Sequence, residues 1–131
     1  MERTLVIIKP DGVRRGLIGE IISRYEKKGL KISNIRMIHA DEEILKKHYA
    51  EHQGKSFYKD LLDFMMSGRI VVMVVEGKNV VETVRKINGK TNPLEAEMGS
   101  IRGDFANFVT ENIVHGSDSA ESAEREISIW F

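Results

Sequence analysis

An α/β fold of the α+β sandwich kind is predicted, with a ferredoxin-like four-stranded antiparallel sheet and helices packed on one of its faces. Three observations lead there. Leu5–Ile8 and Ile70–Val75 are short apolar runs rich in β-branched residues, of strand rather than helix length. Segments with apolar residues at helical spacing lie between and after them. The resulting order, strand, helix, strand, helices, strand, helix, loop, strand, helix, divides into two βαβ-like halves.

Each element has a local reason. Leu5–Ile8 closes on Pro10-Asp11-Gly12, which reads as a buried strand entering a turn. Leu17, Ile18, Ile21, Ile22 and Tyr25 recur with the helical period, and Gly29 supplies a stop. Residues 31–40 alternate loosely, but neither parity is wholly apolar, so the second strand has no evident exposed face. Asp41 fits the N-cap of a helix through Tyr49, because its carboxylate can accept from the free amides of the first turn. A short helix fits Phe57–Met66, ended near Gly68. Asn79 is placed as the cap of a helix to about Asn88, followed by Gly89. Residues 90–107, with Pro93, Gly99 and Gly103, show little periodicity, and a long loop in a compact domain tends to be functional. Ile113-Val114 marks a short fourth strand, and Asp118 or Ser119 opens a last helix to about Ile129.

With no repeat or linker, residues 1–131 read as a single domain, and 41% apolar residues suffices for one hydrophobic core. Lys plus Arg and Asp plus Glu number 20 each. That balance argues against a surface for nucleic acid or anionic lipid, both of which need a basic excess. Cysteine is absent, which excludes disulfides, thiolate metal sites and a cysteine nucleophile. No apolar run spans a bilayer, and the charged start at Glu2 and Arg3 is unlike a signal peptide. A cytoplasmic, reducing setting is expected.

Phosphate binding, if present, must come from side chains. Gly54-Lys55-Ser56 and Gly89-Lys90-Thr91 imitate the end of a P-loop, but Tyr49 and Val84 stand where its first glycine belongs. Arg85, Thr91 and Arg102 are the candidates, because a guanidinium can donate two parallel hydrogen bonds to phosphate oxygens. By themselves they read equally as solvated surface groups. His48 and His52, four apart, could share a helix face as metal ligands, but no third ligand is evident and no metal site is assigned. His115 ends a short strand just before a helix N-terminus, beside Gly116, where an anion is favoured. An imidazole there is a competent nucleophile if an acceptor such as Glu126 holds its other nitrogen. Local chemistry leaves a second reading open, in which 117–119 is only a capping cluster beside an incidental histidine.

Lys9-Pro10-Asp11-Gly12-Val13, Arg15-Gly16-Leu17-Ile18-Gly19-Glu20, Thr91-Asn92-Pro93, Ile101-Arg102-Gly103-Asp104-Phe105 and Asn112-Ile113-Val114-His115-Gly116-Ser117-Asp118-Ser119 together resemble the nucleoside diphosphate kinase family. The likeness runs from about Arg3 to Phe131. It implies a two-step, ping-pong transfer of the γ-phosphate of a nucleoside triphosphate, mainly ATP, to a nucleoside diphosphate. His115 matches the nucleophile and Glu126 the carboxylate that orients it. Arg85, Thr91 and Arg102 match phosphate-binding positions. Lys9 and Asn112 match residues on the sugar hydroxyls, with Lys9 also near the transferred phosphate. Tyr49 and Ser117 match a supporting hydrogen-bonded pair beside that lysine. Phe57 matches the ring on which the base stacks, with Leu61 and Val109 lining the slot, and His52 approaches the α-phosphate. Stacking without edge recognition implies tolerance of all common bases.

The resemblance also implies magnesium carried by the nucleotide phosphates, with few or no protein ligands. It implies a homo-oligomer built from dimers, a hexamer in preference to a tetramer, with the loop from Thr91 to Arg102 at the trimer contacts. This chain departs from the family pattern at Lys55-Ser56-Phe57-Tyr58, where Arg-Pro-Phe-Phe is usual, and at Met98, where proline is common. It also ends at Phe131, where many relatives continue with a tail that takes part in subunit contacts. Two other classes fit such a fold. A non-catalytic nucleotide-sensing regulatory domain would not need a nucleophile with its holder. An RNA-binding domain would want aromatics on adjacent strands and a basic excess, and neither is present.

Overall fold

A computed structural model describes residues 1–131. In chain order the elements are β1 (Glu2–Ile8), α1 (Pro10–Arg14), α2 (Ile18–Lys27), β2 (Lys31–Ile38), α3 (Glu42–His48), a 3-10 turn (Ala50–His52), α4 (Tyr58–Met65), β3 (Ile70–Gly77), α5 (Val80–Asn88), α6 (Ile101–Phe105), β4 (Val114–Gly116) and α7 (Ala120–Trp130). The sheet order is β2-β3-β1-β4, and every neighbouring pair is antiparallel. This is the ferredoxin-like arrangement expected.

The helices cover both faces of the sheet, not one. Leu5, Ile7, Val72 and Val74 pack with Leu45, Tyr49, Leu62, Met65, Ile127 and Trp130, drawn from α3, α4 and α7 and the residue after α3. Val6, Ile8, Val71, Met73 and Val75 pack on the other face with Ile21, Tyr25, Val80 and Val84 of α2 and α5. Adjacent strand residues point to opposite faces, so a strand buried on both sides must be apolar at every position. The unbroken runs in β1 and β3 record that two-sided burial.

The loose pattern of β2 also has a cause. A bulge between Ile32 and Asn34 shifts the register by one residue, and a one-residue shift exchanges the faces. Ile32 therefore packs on the α2–α5 side and Ile38 on the α3–α4–α7 side, although both numbers are even. β2 is an edge strand whose outer side has no partner, and Ile35 and Met37 on it are each 48% exposed.

Four local expectations need correction. Pro10-Asp11-Gly12 opens the short helix α1 rather than a turn, with proline in the first turn where its missing amide costs nothing. Asn79 does not cap α5: it sits at φ 53°, and the Val81 amide donates to Glu2 Oε1 at 3.0 Å instead. The stretch 90–107 is not structureless, since it contains α6, capped by Ser100, whose hydroxyl accepts from the Gly103 amide at 3.0 Å. Ile113 lies outside the fourth strand, which begins at Val114. The Asp41 cap is present, accepting from the Ile44 amide at 2.8 Å, and Ser119 caps α7 through the Ser122 amide at 3.0 Å.

Candidate active site

β4 is the platform. His115 is its central residue, opposite Ile7 of β1, and the two flanking residues are buried. Its Nε2 lies 2.8 Å from Glu126 Oε1 on α7, and the Ser117 hydroxyl donates to the same oxygen at 2.7 Å. Ser117 is itself fixed, accepting from the Leu5 amide at 3.1 Å. A carboxylate only accepts, so it selects the tautomer with hydrogen on Nε2 and leaves a lone pair on Nδ1.

The carbonyls on either side of His115 each hold a guanidinium. Arg102 Nη2 donates to Val114 O at 2.6 Å, and Arg85 Nη1 donates to Gly116 O at 3.2 Å. Arg102 is buried and also donates from Nη1 to Gly89 O at 2.7 Å and from Nε to Asn112 O at 3.3 Å. Burial, with Arg85 nearby, lowers its pKa to about 10, so it remains charged at neutral pH. Arg85 is exposed, ready to meet a solute.

Lys9, at the end of β1, donates to Asn112 Oδ1 at 2.8 Å, and Asn112 Nδ2 donates to the Thr91 carbonyl at 3.1 Å. Burial and then the Arg102 charge push the Lys9 pKa down to about 8, while Asp11 opposes them. Lys9, Asn112, Thr91 and Arg102 thus form one linked group. Thr91 enters it through its backbone, and its side chain is exposed.

The base-slot candidates stand apart from these hydrogen bonds. Phe57 precedes α4 and is 45% exposed, Leu61 is half-buried one turn on, and Val109 is 52% exposed. Rings nevertheless join Phe57 to His115. Phe57 and His52 are 5.4 Å apart, His52 and Tyr49 6.0 Å, Tyr49 and His48 4.6 Å, and His48 and His115 4.7 Å. Lys55, at a departure from the family pattern, places Nζ 5.8 Å from the Phe57 ring centre and 3.2 Å from His52 Nδ1.

Two sequence expectations differ here. Tyr49 and Ser117 are not hydrogen-bonded: Ser117 donates to Glu126, and the buried Tyr49 hydroxyl has no protein partner. Burial first, then Glu126, raises the Tyr49 pKa, which keeps the phenol neutral. His48 and His52 do not share a helix face, because α3 ends at His48 and His52 belongs to the 3-10 turn. His48 is instead buried against His115, and its Nδ1 accepts from Trp130 Nε1 at 3.0 Å. Burial, followed by the neighbouring His115 and Arg125, holds its pKa well below the usual histidine value. His48, His115 and Glu126 are close enough for a metal. Yet Glu126 Oε1 and His115 Nε2 bond each other, and His48 Nδ1 is taken by Trp130. Sequence reasoning weighed His48 only as a metal ligand and gave Trp130 no part, so it missed their place beside His115.

A cavity of about 880 Å³ lies along α5, lined by Arg85, Lys86, Lys90, Glu97 and Asp118 among others. It shares Arg85 with the site but contains neither His115, Lys9 nor Phe57.

Comparison with known proteins gives one answer throughout. The family model described as nucleoside diphosphate kinase matches residues 2–131. The nucleoside diphosphate kinase of Methanocaldococcus jannaschii is 58% identical over 130 residues, covering 99% of this chain and 93% of its own. That of Listeria monocytogenes is 56% identical over 131 residues, covering 100% and 89%. Among solved structures, the apo nucleoside diphosphate kinase of Encephalitozoon cuniculi superposes with a TM-score of 0.98 at 43% identity, over 100% of this chain and 89% of that one. A family protein from Babesia bovis gives 0.97 at 47% identity, over 100% and 88%. With the family match spanning the whole sheet, β4 with His115 and the elements that carry Lys9, Arg85 and Arg102, the chain belongs to the nucleoside diphosphate kinase family.

Proposed function

We propose that this chain acts as a single-domain nucleoside diphosphate kinase with His115 as its phosphate carrier. The observation that carries the reading is the Glu126 hydrogen bond, which leaves the Nδ1 lone pair of His115 available on a residue whose two neighbouring carbonyls each anchor a guanidinium. In the first half-reaction Nδ1 attacks the γ-phosphorus of a nucleoside triphosphate, mainly ATP. The N–P bond forms as the bond to the bridging oxygen breaks, and the diphosphate leaves. In the second, a terminal oxygen of another diphosphate attacks the same phosphorus, and the N–P electrons return to Nδ1. Arg85 and Arg102 meet the charge that develops on the transferred group. Lys9 and Asn112 hold the sugar and, through Lys9, the phosphate. Thr91 adds a phosphate contact, Ser117 supports the Glu126 end, and Tyr49 packs against His48 beside it. Phe57, Leu61 and Val109 take the base, with His52 near the α-phosphate.

Magnesium arrives on the nucleotide as part of the substrate. Each buried carboxylate near the site has one oxygen engaged, Asp11 by the Ile113 amide and Glu126 by His115 and Ser117, which fits an ion held mainly by phosphate oxygens. No helix is long and apolar enough to cross a membrane, and a cytoplasmic setting without a specific nucleic-acid partner belongs to this reading. So does self-association. The unpaired β2 edge with exposed Ile35 and Met37 favours a dimer. Leu94 and Met98, 89% and 80% exposed on the 90–107 stretch, favour a further contact and hence a hexamer over a tetramer. Light scattering decides this, and a monomer mass at micromolar concentration would refute it.

The catalytic test is incubation with γ-labelled ATP alone. Acid-labile, base-stable label is expected on the wild type and none on a folded His115→Ala variant. A nucleotide-sensing domain would bind ATP and take no label, and label persisting in His115→Ala would remove that residue from the role.

A further inference from the structure

The two residues proposed to hold the sugar and carry the phosphate, Asn112 and His115, are separated by a turn that the backbone resists. Ile113 has φ 74°, a left-handed value that is a genuine outlier for a β-branched residue. The Val114 amide donates to Asn112 O at 2.8 Å, closing a three-residue turn around it, and such turns with positive φ are rare and strained. Strain of this kind persists only where the surroundings over-determine it.

What over-determines it is one short segment. Ile113 N donates to Asp11 Oδ2 at 3.1 Å, and the Lys9 amide donates to Ile113 O at 2.8 Å. Both polar groups of the strained residue are therefore tied to the start of α1. The Ile113 side chain is fully buried, and a side chain at Gly12 would come within 3.0 Å of its methyl. Asp11 is only 5% exposed, and its second oxygen has no protein partner. A buried carboxylate using one oxygen, on one amide, is there for that amide.

The turn has consequences on both sides. It brings the Asn112 side chain to Lys9 and the Asn112 carbonyl to Arg102, then sends Val114 into β4 so that His115 falls opposite Ile7. We infer that Asp11 is a positioning residue for the transfer reaction, holding the strained Ile113 turn that sets Asn112 and Lys9 relative to His115. This rests on the function proposed above.

The test uses two phosphoryl donors. ATP needs the sugar-side and phosphate-side groups in register with His115. Phosphoramidate carries no sugar, and needs only the imidazole and the guanidiniums beside it: its P–N bond breaks, ammonia leaves and the same phosphohistidine forms. Asp11→Ala is expected to lower the rate of labelling by ATP about a hundredfold, the cost of an ångström-scale misplacement. Its labelling by phosphoramidate is expected to stay within about threefold of wild type, because the pairing of β4 with β1 and the Glu126 bond still hold His115. Asp11→Asn keeps an oxygen for the Ile113 amide and should retain ATP labelling within about tenfold. If Asp11→Ala does not fold, Asp11→Glu replaces it, keeping the charge while displacing the oxygen, and the expectation is again loss with ATP only. Equal losses with both donors would overturn the inference. So would an Asn variant as damaged as the Ala or Glu variant, since that would assign Asp11 to the Lys9 charge, or a wild-type rate in Asp11→Ala. Failure of the wild type to take label at His115 from ATP, while phosphoramidate labels it, would strike the proposed function and not the turn.

Discussion

Glu126→Gln isolates what the carboxylate does for His115. Glu126 is buried, and its Oε1 accepts from both His115 Nε2 and the Ser117 hydroxyl at 2.8 and 2.7 Å. Glutamine keeps an oxygen but loses the charge. A hydrogen bond to a charged group contributes about 1.5–3 kcal/mol against about 0.5–1.5 for a neutral one, so the expected loss is about 1–2 kcal/mol. That corresponds to roughly five- to thirtyfold in the rate of phosphorylation. The surroundings push toward the upper end. Glu126 Oε2 faces the Arg125 guanidinium at 3.8 Å, so an amide NH₂ placed there meets a cation. The flipped amide would instead point its NH₂ at His115 and favour hydrogen on Nδ1, the wrong tautomer for attack. Rapid-quench mixing with γ-labelled ATP measures the rate, and phosphorus NMR of the denatured phosphoenzyme identifies the substituted nitrogen. Phosphate is expected on Nδ1 in both proteins. A Gln variant at the wild-type rate, or phosphate on Nε2, would refute the assignment of roles to the two nitrogens.

Three further outcomes follow from the same geometry. Arg85→Ala and Arg102→Ala should each cost about 2–4 kcal/mol of transition-state stabilisation in kcat/KM. Only Arg102→Ala should also lower Tm, because Arg102 alone bonds three carbonyls; wild-type kcat/KM in either variant would remove that residue from the phosphate site. With the Lys9 pKa near 8, kcat/KM should fall as pH rises through that value, and a flat profile from pH 7 to about 9.5 would contradict a catalytic role for its charge. The stability effect has the opposite sign: between about 8 and the ordinary 10.5 the unfolded chain binds the extra proton, so this group favours folding more as pH rises. Acceptors with adenine, guanine, uracil or cytosine should show comparable kcat/KM, because Phe57 offers a face; a preference on the order of a thousandfold would imply edge recognition.

Much of this arrangement is legible before any coordinates. Strand and helix order and the Asp41 cap follow from residue types and spacing, the last helix from a start at Asp118 or Ser119, and the pairing of His115 with Glu126 from the family resemblance. What is illegible has a physical reason in each case. The bulge at Ser33 reverses the parity of β2, so a period-two pattern cannot be read through it. Two-sided burial of β1 and β3 was present in their unbroken apolar runs, but a run alone does not say how many layers cover it. His48 looks like any polar histidine until α7 brings Trp130 against it. The left-handed Ile113 defeats local reasoning altogether, since propensity argues against isoleucine at positive φ and only the distant Asp11 and Lys9 hold it there.

Three carbonyls around β4 end on one side chain. β4 pairs with β1 over three residues, whereas the β1–β3 ladder runs for seven. The edge that bears His115 is thus secured by Arg102 as well as by the sheet, since that side chain joins Gly89, Asn112 and Val114. A guanidinium has five N–H groups in a fixed plane, and three of them are taken. The two that remain, which the proposed function gives to the phosphate, are aimed in directions already set by the backbone. Lysine would keep the charge, but its three donors on a freely turning head would have to serve either the phosphate or the strand. In the proposed function, anchoring the strand and meeting the substrate are therefore one job at this position, and charge alone is not enough to fill it.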